Sequence, residues 1–372
     1  MTTKVLSVFG TRPEAIKMLP LVKEIEATDG LEGRVCITAQ HREMLDQIME
    51  VFDVRADSDL DVMRPGQTLT SITSDVLEGL EKVLLEEKPD IVLVHGDTTT
   101  GFVAALAAFY QQIPVGHVEA GLRTNNIYSP FPEEANRQLI SRIASLHFAP
   151  TELNKLNLEA EGISKHVYVT GNTVIDAFAT TVQEDYLFKN EELARIDLQA
   201  GRTILLTAHR RENLGKPLQD IFQAVRELAE NYPDLQFVYP VHRNPLVSGP
   251  AQDILGDHPR VHLIDPIDAE DMHNLISRCY LVLTDSGGLQ EEAPTLGKPV
   301  IVLRTETERP EAVEAGVARV VGVDKNDIIS AVSTLLEDVE EYSLMSRAVN
   351  PYGDGQASKR ICTAIKFFVS ST

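Results

Sequence analysis

Short apolar, β-branched runs alternate along this chain with longer stretches whose apolar residues recur at helical spacing. Residues 5–9 form the first run and 13–27 the first helical stretch. Strands are predicted over 35–38, 91–94, 115–118, 146–149 and 167–169, and helices over 43–52 and 99–110 and from Thr151 onward. Within 68–87, Leu69, Ile72, Val76, Leu80, Val83 and Leu84 fall on one helical face. The pattern recurs in the second half. Strands are predicted over 204–207, 237–239, 261–264, 281–283, 300–303 and 317–321, separated by helices over 218–231, 269–278, 288–296, 309–315 and 325–338. The strand runs are continuously apolar rather than alternating, as strands covered on both faces require. Strand–helix alternation of this kind predicts an α/β protein with two Rossmann-like, doubly wound domains. The domain boundaries are read as 1–172, 173–355 and a last helical segment, 356–372, returning to the first domain.

Length and composition agree. The 372 residues suit two domains. Hydrophobic residues at 43% and charged residues at 24% exclude wholesale disorder. A net charge of −22 argues against nucleic acid and anionic membrane surfaces as partners. Three scattered cysteines, Cys36, Cys279 and Cys362, suit thiols in a reducing compartment. No run reaches the roughly 18 apolar residues of a membrane span, and the N-terminus meets Arg12 and Glu14 too early for a signal peptide. A cytoplasmic protein is expected.

Polar clusters follow most of the predicted strands. They are Gly10-Thr-Arg-Pro-Glu14, Ala39-Gln-His-Arg42, His95-Gly-Asp-Thr98 and Glu119-Ala-Gly-Leu-Arg123 in the first half. In the second they are His209-Arg-Arg-Glu-Asn213, His242-Arg-Asn-Pro245, Thr284-Asp-Ser-Gly-Gly288 and the segment from Arg304 to Glu311. Ligands of open parallel sheets bind beyond the carboxyl ends of the strands, so two sheets facing each other across a charged cleft are expected. The loop from Asp285 to Gly288 opens a helix and suits an anion, with a plain helix cap by Asp285 or Ser286 as the alternative. His209, Arg210 and Arg211 add the positive charge a diphosphate needs, and Glu292, one helical turn beyond Gly288, is a candidate acceptor for a ribose hydroxyl, with a solvated helix face as the alternative. No dinucleotide or Walker fingerprint occurs. Asp97, Glu119 and Glu133, near Arg12, Lys17, Arg123 and Arg137 in motif terms, are candidates for proton transfer, with structural ion pairing as the alternative. His95/Asp97 and His117/Glu119 at i, i+2 would share a face in a strand, where a metal site is the alternative to packed core histidines.

Nine segments, Val8–Lys17, Ala39–Arg42, Val94–Thr98, His117–Arg123, Pro132–Arg137, Gly171-Asn-Thr173, His209–Glu212, Thr284–Gly288 and Asn350-Pro-Tyr-Gly-Asp-Gly355, resemble the non-hydrolysing UDP-N-acetylglucosamine 2-epimerases in one collinear order across nearly the whole chain. The resemblance implies a glycosyltransferase-B arrangement and a homodimer needing no metal or redox cofactor. It implies interconversion of UDP-N-acetylglucosamine and UDP-N-acetylmannosamine for cell-surface polysaccharide synthesis, through elimination to 2-acetamidoglucal and re-addition of UDP. On this resemblance the catalytic residues are Asp97, Glu119, Glu133 and His209. Substrate contacts fall on Arg12, Lys17, Arg137, Ile267, Met272, Ser286, Gly287, Gly288, Glu292 and Arg309. Met272 stands where relatives can have an aromatic. Gln40, Arg42, Gln67, Arg210 and His242 match positions of an allosteric substrate site, where Gly66 replaces a common basic residue. A glycosyltransferase of the same fold and a non-catalytic nucleotide-sugar sensor are the competing readings.

Overall fold

A computed structural model describes residues 2–38, 42–62, 64 and 66–371, the side chains of residues 42–44 excepted. The chain divides into two compact units, 1–180 with 352–372 and 181–351.

The first unit is built on a seven-stranded parallel sheet. Its strands are β1 (Thr3–Phe9), β2 (Leu31–Ile37), β3 (Ser58–Asp59), β4 (Ile91–His95), β5 (Val115–Val118), β6 (Leu146–Ala149) and β7 (Val167–Val169). They lie in the order 3-2-1-4-5-6-7, so the winding reverses between β1 and β4. Val5, Leu6, Val8 and Phe9 of β1 and all of β4 are buried, which is why their sequences carry no polar alternation. The Arg12–Ala27 helix starts at Thr11 with a capping box, in which Thr11 and Glu14 bond each other's backbone N–H. Thr98 caps the Thr99–Tyr110 helix in the same region.

The second unit carries a six-stranded parallel sheet of β8 (Arg202–Thr207), β9 (Leu235–Pro240), β10 (Val261–Ile264), β11 (Leu281–Thr284), β12 (Val300–Val302) and β13 (Ala318–Val320). Its order, 10-9-8-11-12-13, reverses between β8 and β11. Ile204, Leu206, Phe237, Leu281 and Leu283 pack with Leu218, Phe222 and Val225 of the Lys216–Asn231 helix. The two Rossmann-like domains read from the sequence are therefore both present.

The limits of the units differ from the sequence expectation. All but the last residue of the Thr173–Thr181 helix stays with the first unit, where Asp176 accepts from the backbone N–H groups of Ala357 and Ser358 at the start of the Ala357–Ser371 helix. That last helix is fastened further by Lys366, which donates to the Asp29 carbonyl. The chain re-enters the first unit at Tyr352 rather than after 355, since the Tyr352 carbonyl already accepts from Asn172 N–H.

Candidate active site

In the first unit the polar groups gather where β1, β4 and β5 end. Glu14 is buried, and its carboxylate accepts from Gly10 N (3.0 Å), Thr11 N (2.8 Å), Thr11 Oγ1 (2.8 Å) and Thr98 Oγ1 (2.6 Å). One side chain thus ties the loop carrying Arg12 to the loop carrying Asp97. Arg12 is half-buried at the first position of its helix.

Asp97 lies in a turn beyond β4, after Gly96 at φ +61°. Its carboxylate is paired with Arg137, and its carbonyl accepts from Asn136 Nδ2 at 2.9 Å. Arg137 also lies 3.3 Å from the fully buried Glu134. Glu133 is the half-buried first residue of the Glu133–Ile143 helix.

Glu119 follows β5 with φ +64°, a conformation that costs a non-glycine residue on the order of 1–3 kcal/mol and persists only where the surroundings hold it. Three groups do so. Lys17 Nζ lies 2.5 Å from Oε1, Asn172 Nδ2 donates to Oε1 at 3.0 Å, and His95 Nε2 lies 3.0 Å from Oε2. Burial would raise this carboxyl, but Lys17 and His95 outweigh it and hold Glu119 well below the usual carboxylate range.

The i, i+2 expectation is corrected on two counts. Asp97 is past the strand end and Glu119 is left-handed, so neither pair shares a strand face. His117 turns instead to the Gly96 carbonyl at 2.7 Å, and burial lowers it to about 3. Among the described residues no group of three or more His, Cys, Asp or Glu side chains is placed to hold a metal ion. Arg123 is not part of the carboxylate cluster either. It makes a bidentate pair with Glu161, at 2.6 and 3.0 Å, and donates to Ser141 Oγ.

In the second unit the ends of β8 and β11 meet. Asp285 is wholly buried and caps no helix. Its Oδ2 accepts from His209 N (2.7 Å), Arg210 N (2.8 Å) and Asn213 Nδ2 (3.1 Å). Ser286 occupies the N-cap position of the Gly287–Thr295 helix yet makes no side-chain cap bond. The plain-cap alternative therefore fails for both residues. A Cβ on Gly287 would lie 3.8 Å from an Arg210 guanidinium nitrogen and 3.9 Å from one of Arg309. Two guanidinium groups thus flank an uncapped helix N-terminus with no side chain in the way, an arrangement suited to phosphate oxygens. Arg309 is oriented by its pair with Glu291. Glu292 Oε1 is 3.3 Å from where a Gly288 Cβ would stand, and its Oε2 is 3.7 Å from His273 Nε2.

His209 and His242 stack with ring centroids 5.3 Å apart and planes 9° from parallel. Burial lowers His209 below its ordinary value, Asp285 opposes the shift, and His242 and Arg210 add to it. Ile267 lies in the loop after β10, and Met272 in the first turn of the Ala269–Arg278 helix, both half-buried. Gln67 is held by Val62 O, Arg64 N and Asp75 Oδ2. Gly66 has φ +79°, a turn position for which a basic residue would be strained. Gln40 and the Arg42 side chain lie outside the described residues.

The sequence reading missed the structural parts played by Glu14, Glu134 and Asn172. The Thr11-x-x-Glu14 capping box was visible in sequence, but the tie to Thr98 is a tertiary contact without a local signal.

Two Rossmann-like units, each with polar side chains at its topological switch point and one with a cationic helix N-terminus, define an α/β protein of the nucleotide-binding kind. Residues 23–366 match the family described as UDP-N-acetylglucosamine 2-epimerase. A UDP-N-acetylglucosamine 2-epimerase of Bacillus subtilis is 53% identical over 365 residues, covering 98% of this chain and 95% of the relative. A UDP-GlcNAc 2-epimerase structure from Neisseria meningitidis, bound to UDP-GlcNAc, is 51% identical with a TM-score of 0.88, covering 98% of this chain and 100% of that one. A Methanocaldococcus jannaschii enzyme solved with UDP-GlcNAc and UDP is 34% identical with a TM-score of 0.78, covering 98% and 100%. The chain belongs to the UDP-N-acetylglucosamine 2-epimerase family, whose members are isomerases with a glycosyltransferase-B-like fold. Among the described residues no helix is long and apolar enough to cross a membrane.

Proposed function

We propose that this protein interconverts UDP-N-acetylglucosamine and UDP-N-acetylmannosamine in the cytoplasm, as a homodimer supplying cell-surface polysaccharide synthesis. The observation that carries the reading is the pairing, in one chain, of a cation-held carboxylate cluster in the first unit with an anion-receiving helix N-terminus in the second. Arg210, Arg309, Ser286, Gly287 and Gly288 receive the diphosphate, Glu292 the ribose, and Ile267 and Met272 the uracil. Arg12, Lys17 and Arg137 contact the substrate beside the carboxylates. Gln40, Arg42, Gln67, Arg210 and His242 contribute to a second, activating substrate site.

The proton on carbon 2 is not beside a carbonyl, so its direct removal gives no stabilised enolate. Departure of UDP solves this. The bond from the anomeric carbon to oxygen breaks with its electron pair leaving on UDP, while a carboxylate takes the carbon-2 proton and a carbon–carbon double bond forms. The products, 2-acetamidoglucal and UDP, stay bound. Delivery of a proton to the opposite face and return of the UDP oxygen complete the inversion. Asp97, Glu119 and Glu133 supply the carboxylates for these transfers, and His209 faces the diphosphate.

The test is incubation of pure protein with UDP-N-acetylglucosamine alone in deuterated water, followed by proton NMR. The expected result is UDP-N-acetylmannosamine carrying deuterium at carbon 2, with no net release of UDP. Conversion only with an added acceptor would make the protein a transferase, and binding without conversion a sensor. Asp97→Asn, Glu119→Gln and Glu133→Gln should each lower turnover at least about 100-fold. Near-native rates in all three would remove these carboxylates from the reaction.

A further inference from the structure

We propose that Asp285 is a positioning residue for His209, holding the imidazole with its Nδ1–H toward a buried carboxylate so that Nε2 is presented outward. The two residues lie just beyond the ends of β11 and β8, the strands on either side of the second sheet's switch point. Asp285 divides its oxygens between two tasks. Oδ2 is occupied by His209 N, Arg210 N and Asn213 Nδ2, which fixes the main chain of the loop. Oδ1 is buried, has no hydrogen-bond partner, and lies 3.7 Å from His209 Nδ1. A buried anionic oxygen left unsatisfied is costly, and this one is next to a ring nitrogen able to donate. His242 stacks on one face of the His209 ring, with centroids 5.3 Å apart.

The carboxylate acts in two ways. With Nδ1 committed as a donor, neutral His209 has its lone pair on Nε2. Protonation then places the new N–H at Nε2, where it can donate to an anion, and Asp285 stabilises that cation across the ring. The charged groups facing His209 are Asp285 from the end of β11, His242 from the loop after β9, and Arg210 from its own loop. Only Asp285 favours the imidazolium, against burial, His242 and Arg210. This extends the proposed function, because it rests on the reading that His209 faces the diphosphate.

Asp285→Asn separates the two tasks. The amide oxygen can keep all three loop bonds, while its NH₂ replaces the oxygen that faces Nδ1 and selects the opposite tautomer. In the native protein, two-bond ¹⁵N–¹H couplings should show neutral His209 as the Nδ1–H tautomer. In the variant the ring should switch to Nε2–H, and its titration midpoint should fall. Turnover should drop at least tenfold while the affinity for UDP changes less than threefold. In a His209→Gln background, Asp285→Asn should add no further loss. An Nε2–H tautomer in the native protein, an unchanged midpoint in the variant, or fully additive losses would each overturn the proposal. The native tautomer measurement needs no variant to fold. It also needs no substrate, so absence of epimerisation would sink the proposed function without being confused with failure of the Asp285–His209 link.

Discussion

The side-chain amide of Asn172 donates to Glu119 Oε1 at 3.0 Å while its backbone N–H donates to the Tyr352 carbonyl at 2.7 Å. One buried residue therefore joins three segments far apart in sequence, the strand end at 119, the turn at 171–173 and the return loop at 350–355. Gly171 makes this possible. It has φ +88°, and a Cβ there would lie 3.2 Å from both the Gly353 Cα and the Tyr352 oxygen.

Gly171→Ala should therefore do more than destabilise. Strain at positive φ alone costs on the order of 1–3 kcal/mol. The contact with backbone leaves no flexible side chain to yield, so Asn172 must move and Glu119 loses a donor. Calorimetry should show a lower Tm, and turnover should fall at least about tenfold. Native values of both would mean that the turn relaxes without displacing Asn172.

Lys17 and Glu119 should behave as one unit. Lys17→Met leaves a buried carboxylate short of its cation, and Glu119→Gln leaves a lysine short of its anion. Each is expected to reduce turnover at least about 100-fold. The double variant should be no more than about tenfold worse than the poorer single, since residues acting together are not additive. Multiplying losses would show that the two serve separate steps.

Glu292→Ala is expected to weaken binding rather than chemistry. If the carboxylate accepts from the ribose in ground and transition states alike, its loss raises KM and leaves kcat within about threefold. A tenfold weaker Kd for UDP by calorimetry corresponds to about 1.4 kcal/mol. A collapse of kcat at constant Kd would remove Glu292 from the ribose role. Gly288→Ala should mimic the binding defect, because the new methyl would press on the Glu292 carboxylate.

Acid should destabilise the first unit through two histidines. His117 and His147 are partners across β5 and β6, and burial lowers them to about 3 and about 4. Their folded values lie below the ordinary 6.5, so the unfolded chain binds protons that the native chain refuses. Stability is then complete above pH 6.5 and declines as pH falls through this window, by up to about 1.4 kcal/mol per pH unit for each histidine. Urea denaturation at pH 7 and pH 5 should show the loss. His147→Gln should lose less stability over the same interval, whereas an equal loss would mean that His147 takes up its proton without unfolding.

Much of this architecture was readable from periodicity. The β5 and β6 limits coincide with the apolar runs, because strands buried along their whole length leave an uninterrupted signal, and the limits of the partly buried edge strands β7 and β10 coincide as well. The Glu133–Ile143 helix was not identified. Its buried positions are Glu134, Asn136, Ile140 and Ser141, so three of the four are polar and the amphipathic stripe is faint. The Pro245–Leu255 helix was hidden by Pro245 and by Ser-Gly-Pro at 248–250, residues that elsewhere mark turns. Site chemistry was legible as residue types after strands. The partners were not. Asp285 reads as a helix cap until the fold brings the β8 loop to it, and Arg123 reads as a site cation until Glu161 claims it. Local patterns specify elements, whereas pairing across dozens of residues depends on the sheet order.

The first unit is assembled from residues 1–180 and 352–372, with the second unit inserted between them. On a ribosome, which releases the chain from its N-terminus, the insert can complete its six-stranded sheet while the first unit still lacks the segment that bonds Asn172, Asp176 and Asp29. A stalled or prematurely terminated chain would thus hold a finished second sheet and a first unit whose Glu119 support is incomplete. The set of contacts around Glu119 and Asn172 is accordingly among the last the nascent polypeptide completes.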